Sequence, residues 1–182
     1  MVTPSKYETW IRVLDWHGIQ EMWHSLRSGH APGWDPGKAF EYLILRAFEL
    51  DGAEVRWPYT VSMQGQLVEQ IDGAVYVGSL ACLVEAKDSS RPVQFHAVTK
   101  LRQQLSRRPA GVLGLLFSRT DFTDSARILA QFLAPQNVLL WNGNELTHAI
   151  EHRRLVRALE AKYRYCVEHG QQERGLDLQV MR

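Results

Sequence analysis

Four charged side chains have types and spacings that could do chemistry together: Asp72, Glu85, Lys87 and Glu41. Glu85 and Lys87 end the apolar stretch CLVEAK, and side chains two residues apart in a strand point to the same face. An acid and a base are therefore expected side by side on a rigid element. Carboxylate oxygens bind hard divalent cations such as Mg²⁺, which polarise a phosphate and lower the pKa of a bound water. A neighbouring ammonium can hold that water or offset the charge that develops in the transition state.

The positions of Asp72 and Glu41 are less directly fixed by the pattern. Residues 66–78 (QLVEQIDGAVYVG) and 80–87 predict two strands joined by a tight Gly-Ser turn, which is a hairpin signal. Asp72 precedes Glu85 by 13 residues, so the hairpin could bring them to one end of the sheet, although direct cross-strand pairing is not assured. Glu41 lies on or beside the apolar stripe of a helix, where a carboxylate needs a cation, a metal or hydrogen bonds.

The elements that must position these residues form a mixed pattern along the chain. The hairpin strands should be antiparallel, whereas the later strands alternate with helices and should be parallel. The fold class is therefore α/β, a mixed β-sheet flanked by helices, with a helical N-terminal extension and a long C-terminal helix. The predicted elements are two short helices within 5–27 separated by Gly18, a helix from Asp35-Pro36 to Gly52, strands 54–63, 66–78 and 80–87, a helix over 92–106, strand 110–118, a helix over 120–134, strand 137–141 and a helix over 144–169.

Composition is that of an ordinary globular protein, with 182 residues, 45% hydrophobic and 23% charged. The two cysteines show no zinc spacing. No apolar run reaches the roughly 18 residues that span a bilayer, and the first residues lack a signal-peptide layout, so we expect a cytoplasmic protein without a membrane partner. The net charge of +1 neither implies nor excludes a nucleic-acid partner.

An Asp followed by a strand that carries Glu-x-Lys resembles the signature of the PD-(D/E)XK nuclease superfamily, which has the restriction-endonuclease-like fold. Here the motif reads Ile71-Asp72 and Glu85-Ala86-Lys87, with Ile71 in the place of the proline that names it. Three longer segments, within 36–150, resemble Mrr-type restriction endonucleases. They are the helix GKAFEYLILRAFELDGAEV, the strand and helix GVLGLLFSRTDFTDSARILAQ, and the closing strand, turn and helix NVLLWNGNELTHAI.

The resemblance implies hydrolysis of DNA phosphodiester bonds by an endonuclease of the restriction, repair or defence type. Mg²⁺ would be the cofactor, and Mn²⁺ could substitute for it. By motif, Asp72 and Glu85 would be metal ligands, Lys87 the catalytic lysine, and Glu41 the helix glutamate near the metal. The corresponding division of the chain is a helical extension (1–34), a nuclease core (35–150), and a C-terminal helix and tail (151–182).

Nucleic-acid contacts are expected from a basic segment, because residues 91–119 contain six Lys or Arg and no acid. The segment could track a phosphate backbone or form a solvated helix face. Homodimerisation is plausible, because cutting both DNA strands usually needs two sites, and the lack of a winged-helix pattern leaves room for a separate recognition subunit. The alternatives are a non-catalytic nucleic-acid-binding or assembly module that keeps the fold, and an RNA nuclease. The candidate nucleic-acid-binding residues are Lys100, Arg102, Gln103 and Arg119.

Overall fold

A five-stranded mixed sheet forms the middle layer of the protein, with helices packed on both faces. The computed structural model describes residues 5–132 and 134–171, so the first four residues of the predicted extension and the tail from 172 onward lie outside it. The expected α/β architecture is confirmed. The helices are α1 (Lys6–Arg12), α2 (Trp16–Arg27), α3 (Lys38–Leu50), α4 (Phe95–Leu105), α5 (Asp124–Phe132), α6 (Gly143–Glu151) and α7 (Leu155–His169), and the strands are β1 (Glu54–Arg56), β2 (Tyr59–Met63), β3 (Gln66–Ile71), β4 (Gly73–Val77), β5 (Leu80–Lys87), β6 (Leu113–Ser118) and β7 (Val138–Trp141).

The sheet has the strand order β1-β4-β5-β6-β7. Strands β1, β4 and β5 pair antiparallel, whereas β5, β6 and β7 pair parallel. The parallel strands follow helical crossovers, and both of their faces are covered, which is why β6 and β7 are buried throughout and are apolar except for Ser118 at the end of β6. Strands β2 and β3 form a separate two-stranded sheet. In the part of the chain that the structure describes, no helix is both long enough and apolar enough to cross a membrane.

The two faces of the sheet bury two different cores. Alternate residues of β5 divide between them: Val84 packs with the residues of α1, α2, α3, α6 and α7, whereas Leu83 packs with those of α4 and α5. Leu101 and Leu105 of α4 lie over Gly114, where a Cβ would come within 3.0 Å of both side chains. The predicted apolar stripe of α4 therefore faces the sheet directly, and this close contact fixes the helix over β6, beside β5.

The predicted strand over 66–78 is two strands in two different sheets, broken at Asp72. A side chain at Gly73 would meet the Leu45 side chain at 2.7 Å and the Arg56 carbonyl oxygen at 3.0 Å. The glycine thus lets α3 and β1 approach the point where the chain changes sheets. The break frees Asp72 from strand pairing, so its side chain is placed by this junction. The alternation of apolar residues alone does not show the break, because both halves keep the strand period.

Two other predicted elements are also interrupted. Strand 54–63 divides into β1 and β2 on either side of Pro58, which has no N–H to donate to a ladder. The helix over 144–169 divides into α6 and α7, with Arg153 at a positive φ of 55° between them. Asp51, at the end of α3, accepts a hydrogen bond from the backbone N of Val156 at 2.7 Å. A carboxylate distant in sequence therefore caps the start of α7.

The beginnings of helices α2 and α3 also differ from the predicted positions. Asp15 caps α2 by accepting from the backbone N of Gly18, so Gly18 lies inside that helix and the break precedes it. Helix α3 begins after Gly37 in a left-handed conformation, with no side-chain cap. Asp35, the expected cap, instead accepts a hydrogen bond from the hydroxyl of Tyr7. A tertiary contact has replaced the local one in this case.

Candidate active site at the junction of β3, β4 and β5

Asp72 lies opposite Glu85 at the point where β3 passes into β4. Gly73 pairs with Val84 in the antiparallel register, and one step further along both strands brings Asp72 beside Glu85. The Oδ2 of Asp72 accepts a hydrogen bond from the backbone N of Ala86 at 2.9 Å. Asp72 is 7% exposed and Glu85 is fully buried. The predicted convergence of the two carboxylates at one end of the sheet is therefore present.

Burial makes the Asp72 carboxylate electrostatically costly. Desolvation, followed by the negative charges of Glu85 and Glu41, raises the pKa of Asp72 from 3.8 to about 6, against the opposing hydrogen bond from Ala86. Desolvation and like charges both favour the protonated form. Three carboxylates from three elements are thus close enough to affect one another, and a bound cation would relieve their repulsion.

Two ammonium groups neutralise Glu85. Lys87, on the same strand and the same face, forms an ion pair with Oε1. Lys100, from α4, lies 2.8 Å from both Oε1 and Oε2. The predicted pairing of Glu85 with Lys87 is present, and Lys100, expected to contact nucleic acid, is in contact with the carboxylate site.

Glu41 is on α3, one turn before the leucine that covers Gly73. Its Oε2 is 2.6 Å from the Nζ of Lys38, in an i,i+3 ion pair on the same helix. The side chain is mostly buried, as its place beside the apolar stripe predicts, and its charge is near enough to act on Asp72. The site therefore contains three carboxylates and three ammonium groups, and Lys38 is a member that sequence reasoning missed.

Helix α4 holds the site together through a polar face that the sequence reasoning did not identify. Gln104 is buried and donates from Nε2 to the backbone oxygen of Gln70 at 3.1 Å. Arg107 and Arg108 both form ion pairs with the buried Glu69 of β3. These contacts fix the end of β3 immediately before Asp72. The available signal was the spacing of Lys100, Gln104, Arg107 and Arg108 at i, i+4, i+7 and i+8, which places them on one face.

The other candidate nucleic-acid-binding residues do not join the carboxylate cluster. Arg102 donates to the backbone oxygens of Ala134 and Pro135, each at 2.6 Å, and so fixes the loop before β7. Arg119 forms an ion pair with Asp88, the first residue after β5. Gln103 is exposed on α4. Of the four predicted residues, only Lys100 contacts the site.

The donor chemistry fits a hard divalent cation, although the side chains are not already arranged around one. Among the described residues, no group of three or more His, Cys, Asp or Glu side chains is assembled as a metal site. Asp72 and Glu85 nevertheless supply oxygen donors in a buried position where negative charge is unfavourable, which is the condition that a cation relieves. Glu41 is paired with Lys38 through Oε2, so as a ligand it would use Oε1 or exchange that partner.

Comparisons with solved structures give low overall similarity. A restriction endonuclease, AspBHI, described as DNA modification-dependent, has 15% identity over 87% of this chain and 40% of its own, with a TM-score of 0.48. MspJI, a restriction endonuclease in complex with a 27-mer oligonucleotide, has 20% identity over 98% of this chain and 43% of its own, with a TM-score of 0.47. A protein of unknown function, AF1548, has 14% identity over 71% of this chain and 76% of its own, also with a TM-score of 0.47. This chain spans less than half the length of the two endonucleases.

The sequence of the central region gives the family directly. No curated protein sequence matches the chain. The Mrr_cat family model, described as restriction endonuclease, matches residues 35–150, which extend from the last residues of the loop before α3 almost to the end of α6. That region contains the whole sheet and all the side chains of the carboxylate site. The chain therefore belongs to the Mrr-type restriction endonuclease family.

Proposed function

We propose that this protein is a metal-dependent endonuclease that hydrolyses phosphodiester bonds in DNA, with Mg²⁺ as its cofactor and Mn²⁺ able to substitute. The observation that carries the proposal is the position of Asp72 opposite Glu85, with Lys87 on the same carboxylate and Glu41 close enough to raise the pKa of Asp72. Membership of the restriction endonuclease family supports the reaction class. We further propose that 35–150 is the nuclease core, on which the described parts of the N-terminal extension (5–34) and of the C-terminal segment (151–171) pack.

Each side chain has a distinct proposed role. Asp72 and Glu85 would hold the cation, and Glu41 would complete its ligand set. When bound, a divalent ion polarises the phosphate and lowers the pKa of a water. Lys87 is 36% exposed, so its ammonium can contact the buried carboxylate and still meet substrate. There it would orient the attacking water or stabilise the charge that develops on the phosphate oxygens.

The DNA backbone is proposed to lie over the exposed side of this junction. Lys100 and Gln103 are the α4 residues best placed to meet it, because both have substantial exposure. Arg102 and Arg119 are proposed to act on DNA only indirectly, since each is already bound to a loop or an acid. Cleavage of both strands would use two copies of the chain, and a partner subunit could supply target recognition.

A cleavage assay with matched variants tests the proposal. Supercoiled plasmid and a structured RNA are incubated with the protein in Mg²⁺, in Mn²⁺ or in chelator. Asp72→Asn and Lys87→Met preserve side-chain size while removing a ligand charge and an ammonium. We expect nicking or linearisation of plasmid in either metal and none in chelator. We expect each variant to reduce the rate by at least about 10²-fold, the lower range for losing one transition-state stabiliser.

The matched control is Glu54→Gln, which removes an exposed carboxylate from β1 and should cut plasmid at the wild-type rate. Circular dichroism establishes that all variants are folded. Cleavage of RNA and not plasmid would assign the activity to RNA. Tight DNA binding without cutting in any metal would contradict the enzyme assignment and favour a non-catalytic binding module.

A further inference from the structure

The contacts of Lys100 are unusual for a residue that only binds a phosphate backbone. Its Nζ is bonded to both oxygens of Glu85 at 2.8 Å, so the ammonium lies in the fork of the carboxylate. Lys87 takes a further position on Oε1. A carboxylate has about four acceptor sites, and three of those on Glu85 are therefore used by ammonium groups. A metal ion chelated by Glu85 would occupy the same fork as Lys100.

We propose that Lys100 is an internal counter-cation that competes with the divalent metal for Glu85. In the metal-free protein it neutralises a fully buried carboxylate, and it leaves when the metal binds. This inference rests on the proposed function, because it concerns the same metal ligands. Lys100 would thereby set the metal concentration that the enzyme needs. It is a positioning residue in this role, since it acts through Glu85.

The geometry allows the ammonium to leave at low cost. The Lys100 side chain is 46% exposed, whereas Glu85 has no exposure. The lysine comes from α4, a different element from Glu85, and a long flexible side chain can turn outward to water without moving the helix. Lys87 remains on β5 beside the carboxylate. The position between the two oxygens of Glu85 is thus exchangeable, while Lys87 can keep its contact with Oε1.

The two consequences of removing Lys100 have opposite signs. Without the ammonium, buried Glu85 loses a charged hydrogen-bond partner, so the metal-free protein becomes less stable. The metal no longer has to displace a cation, so it binds more tightly. Without this competition we expect the affinity for Mn²⁺ to rise by at least about tenfold, which corresponds to about 1.4 kcal/mol.

The experiment measures Mn²⁺ binding directly, without DNA or turnover. Free Mn²⁺ is followed by electron paramagnetic resonance as it is titrated into wild type, Lys100→Met and Lys100→Arg, with Asp72→Asn marking the site. We expect Lys100→Met to bind Mn²⁺ at least about tenfold more tightly, and Lys100→Arg, which keeps the charge, to stay near wild type. Thermal unfolding in chelator should show a lower Tm for Lys100→Met and a larger rise on adding Mn²⁺.

The possible outcomes separate this inference from the proposed function. Asp72-dependent Mn²⁺ binding that is unchanged or weaker in Lys100→Met overturns the counter-cation role and leaves the nuclease proposal standing. A lower Tm in chelator with unchanged Mn²⁺ affinity makes Lys100 merely structural and also overturns it. If neither the wild type nor Lys100→Met binds Mn²⁺ in a way that depends on Asp72, both the counter-cation role and the metal-dependent nuclease proposal are wrong.

Discussion

The ionised carboxylate of Asp72 should make the metal-free protein less stable than a variant with a neutral side chain at this position. The side chain is 7% exposed, and burial together with Glu85 and Glu41 raises its pKa from 3.8 to about 6. Asp72→Asn removes the charge and keeps the shape. The Asn carbonyl oxygen can still accept the hydrogen bond that the backbone N of Ala86 donates. The substitution should therefore stabilise the fold while eliminating a proposed metal ligand.

The magnitude follows from the pKa. A rise from 3.8 to about 6 is about two units, and each unit corresponds to about 1.36 kcal/mol. At pH 7.5 the ionised Asp72 thus lowers the free energy of unfolding by about 3 kcal/mol. Because the residue is almost fully buried, solvent screening reduces this value little. Asp72→Asn should recover most of it, less the difference between a charged and a neutral acceptor for Ala86.

The sign of the pH dependence is distinctive. The folded state binds the Asp72 proton more tightly than the unfolded state, so stability falls as pH rises from about 4 to about 6. Below that window both states are protonated, and above it both are ionised. The stability advantage of Asp72→Asn should be less than about 1 kcal/mol at pH 4 and complete at pH 7.5.

Equilibrium urea unfolding in chelator measures both quantities, because bound metal would stabilise the wild type selectively. Glu54→Gln, an exposed carboxylate on β1, is the control and should change stability little at either pH. An Asp72→Asn variant that is no more stable than wild type at pH 7.5 would refute the reasoning. An advantage that is the same at pH 4 and pH 7.5 would show that the effect is not due to the carboxylate charge.

Three further predictions concern the framework around the site. Gly143→Ala should lower the free energy of unfolding by at least about 2 kcal/mol, because the new Cβ would lie 2.2 Å from the backbone oxygen of Arg119. In the control Gly111→Ala the new Cβ has no atom within 4 Å, so urea unfolding should show a much smaller change. Lys162→Met should lower the free energy of unfolding by about 3–5 kcal/mol, because it removes the ammonium that forms an ion pair with the buried Glu145 carboxylate. Adding Glu145→Gln should restore much of the loss, which a double-mutant cycle measures. Burial raises the pKa of the Cys82 thiol to about 12, so in a variant retaining only this cysteine a thiol reagent should react at pH 8 after unfolding and not before.

Much of the geometry of the candidate site was already present in local patterns. The strand alternation of CLVEAK places Glu85 and Lys87 on one face, and the structure confirms their contact. The two-residue turn between β4 and β5 fixes a register that brings Asp72 opposite Glu85. That pairing was predictable from the length of the turn, although the sequence reasoning left direct cross-strand pairing open.

The contacts across elements were not predictable in the same way. The approach of α3 to Gly73 ends the strand at Asp72, and nothing in the strand period marks that break. Likewise, the sequence alone is compatible with a solvated Lys100. Only the packing of α4 on the sheet brings its ammonium into contact with Glu85. Asp51 becomes a helix cap only when α7 folds back against the end of α3.

The sequence by itself determined the order and type of most elements, the placement of Glu85 beside Lys87, and membership of the restriction endonuclease family over 35–150. These depend on periodicity and motif spacing, which are local properties of the chain. Only the tertiary structure decided the burial of the carboxylates, the raised pKa of Asp72 and the ammonium groups that balance them. Such properties depend on desolvation and on charges from distant segments, and these exist only when the elements pack together.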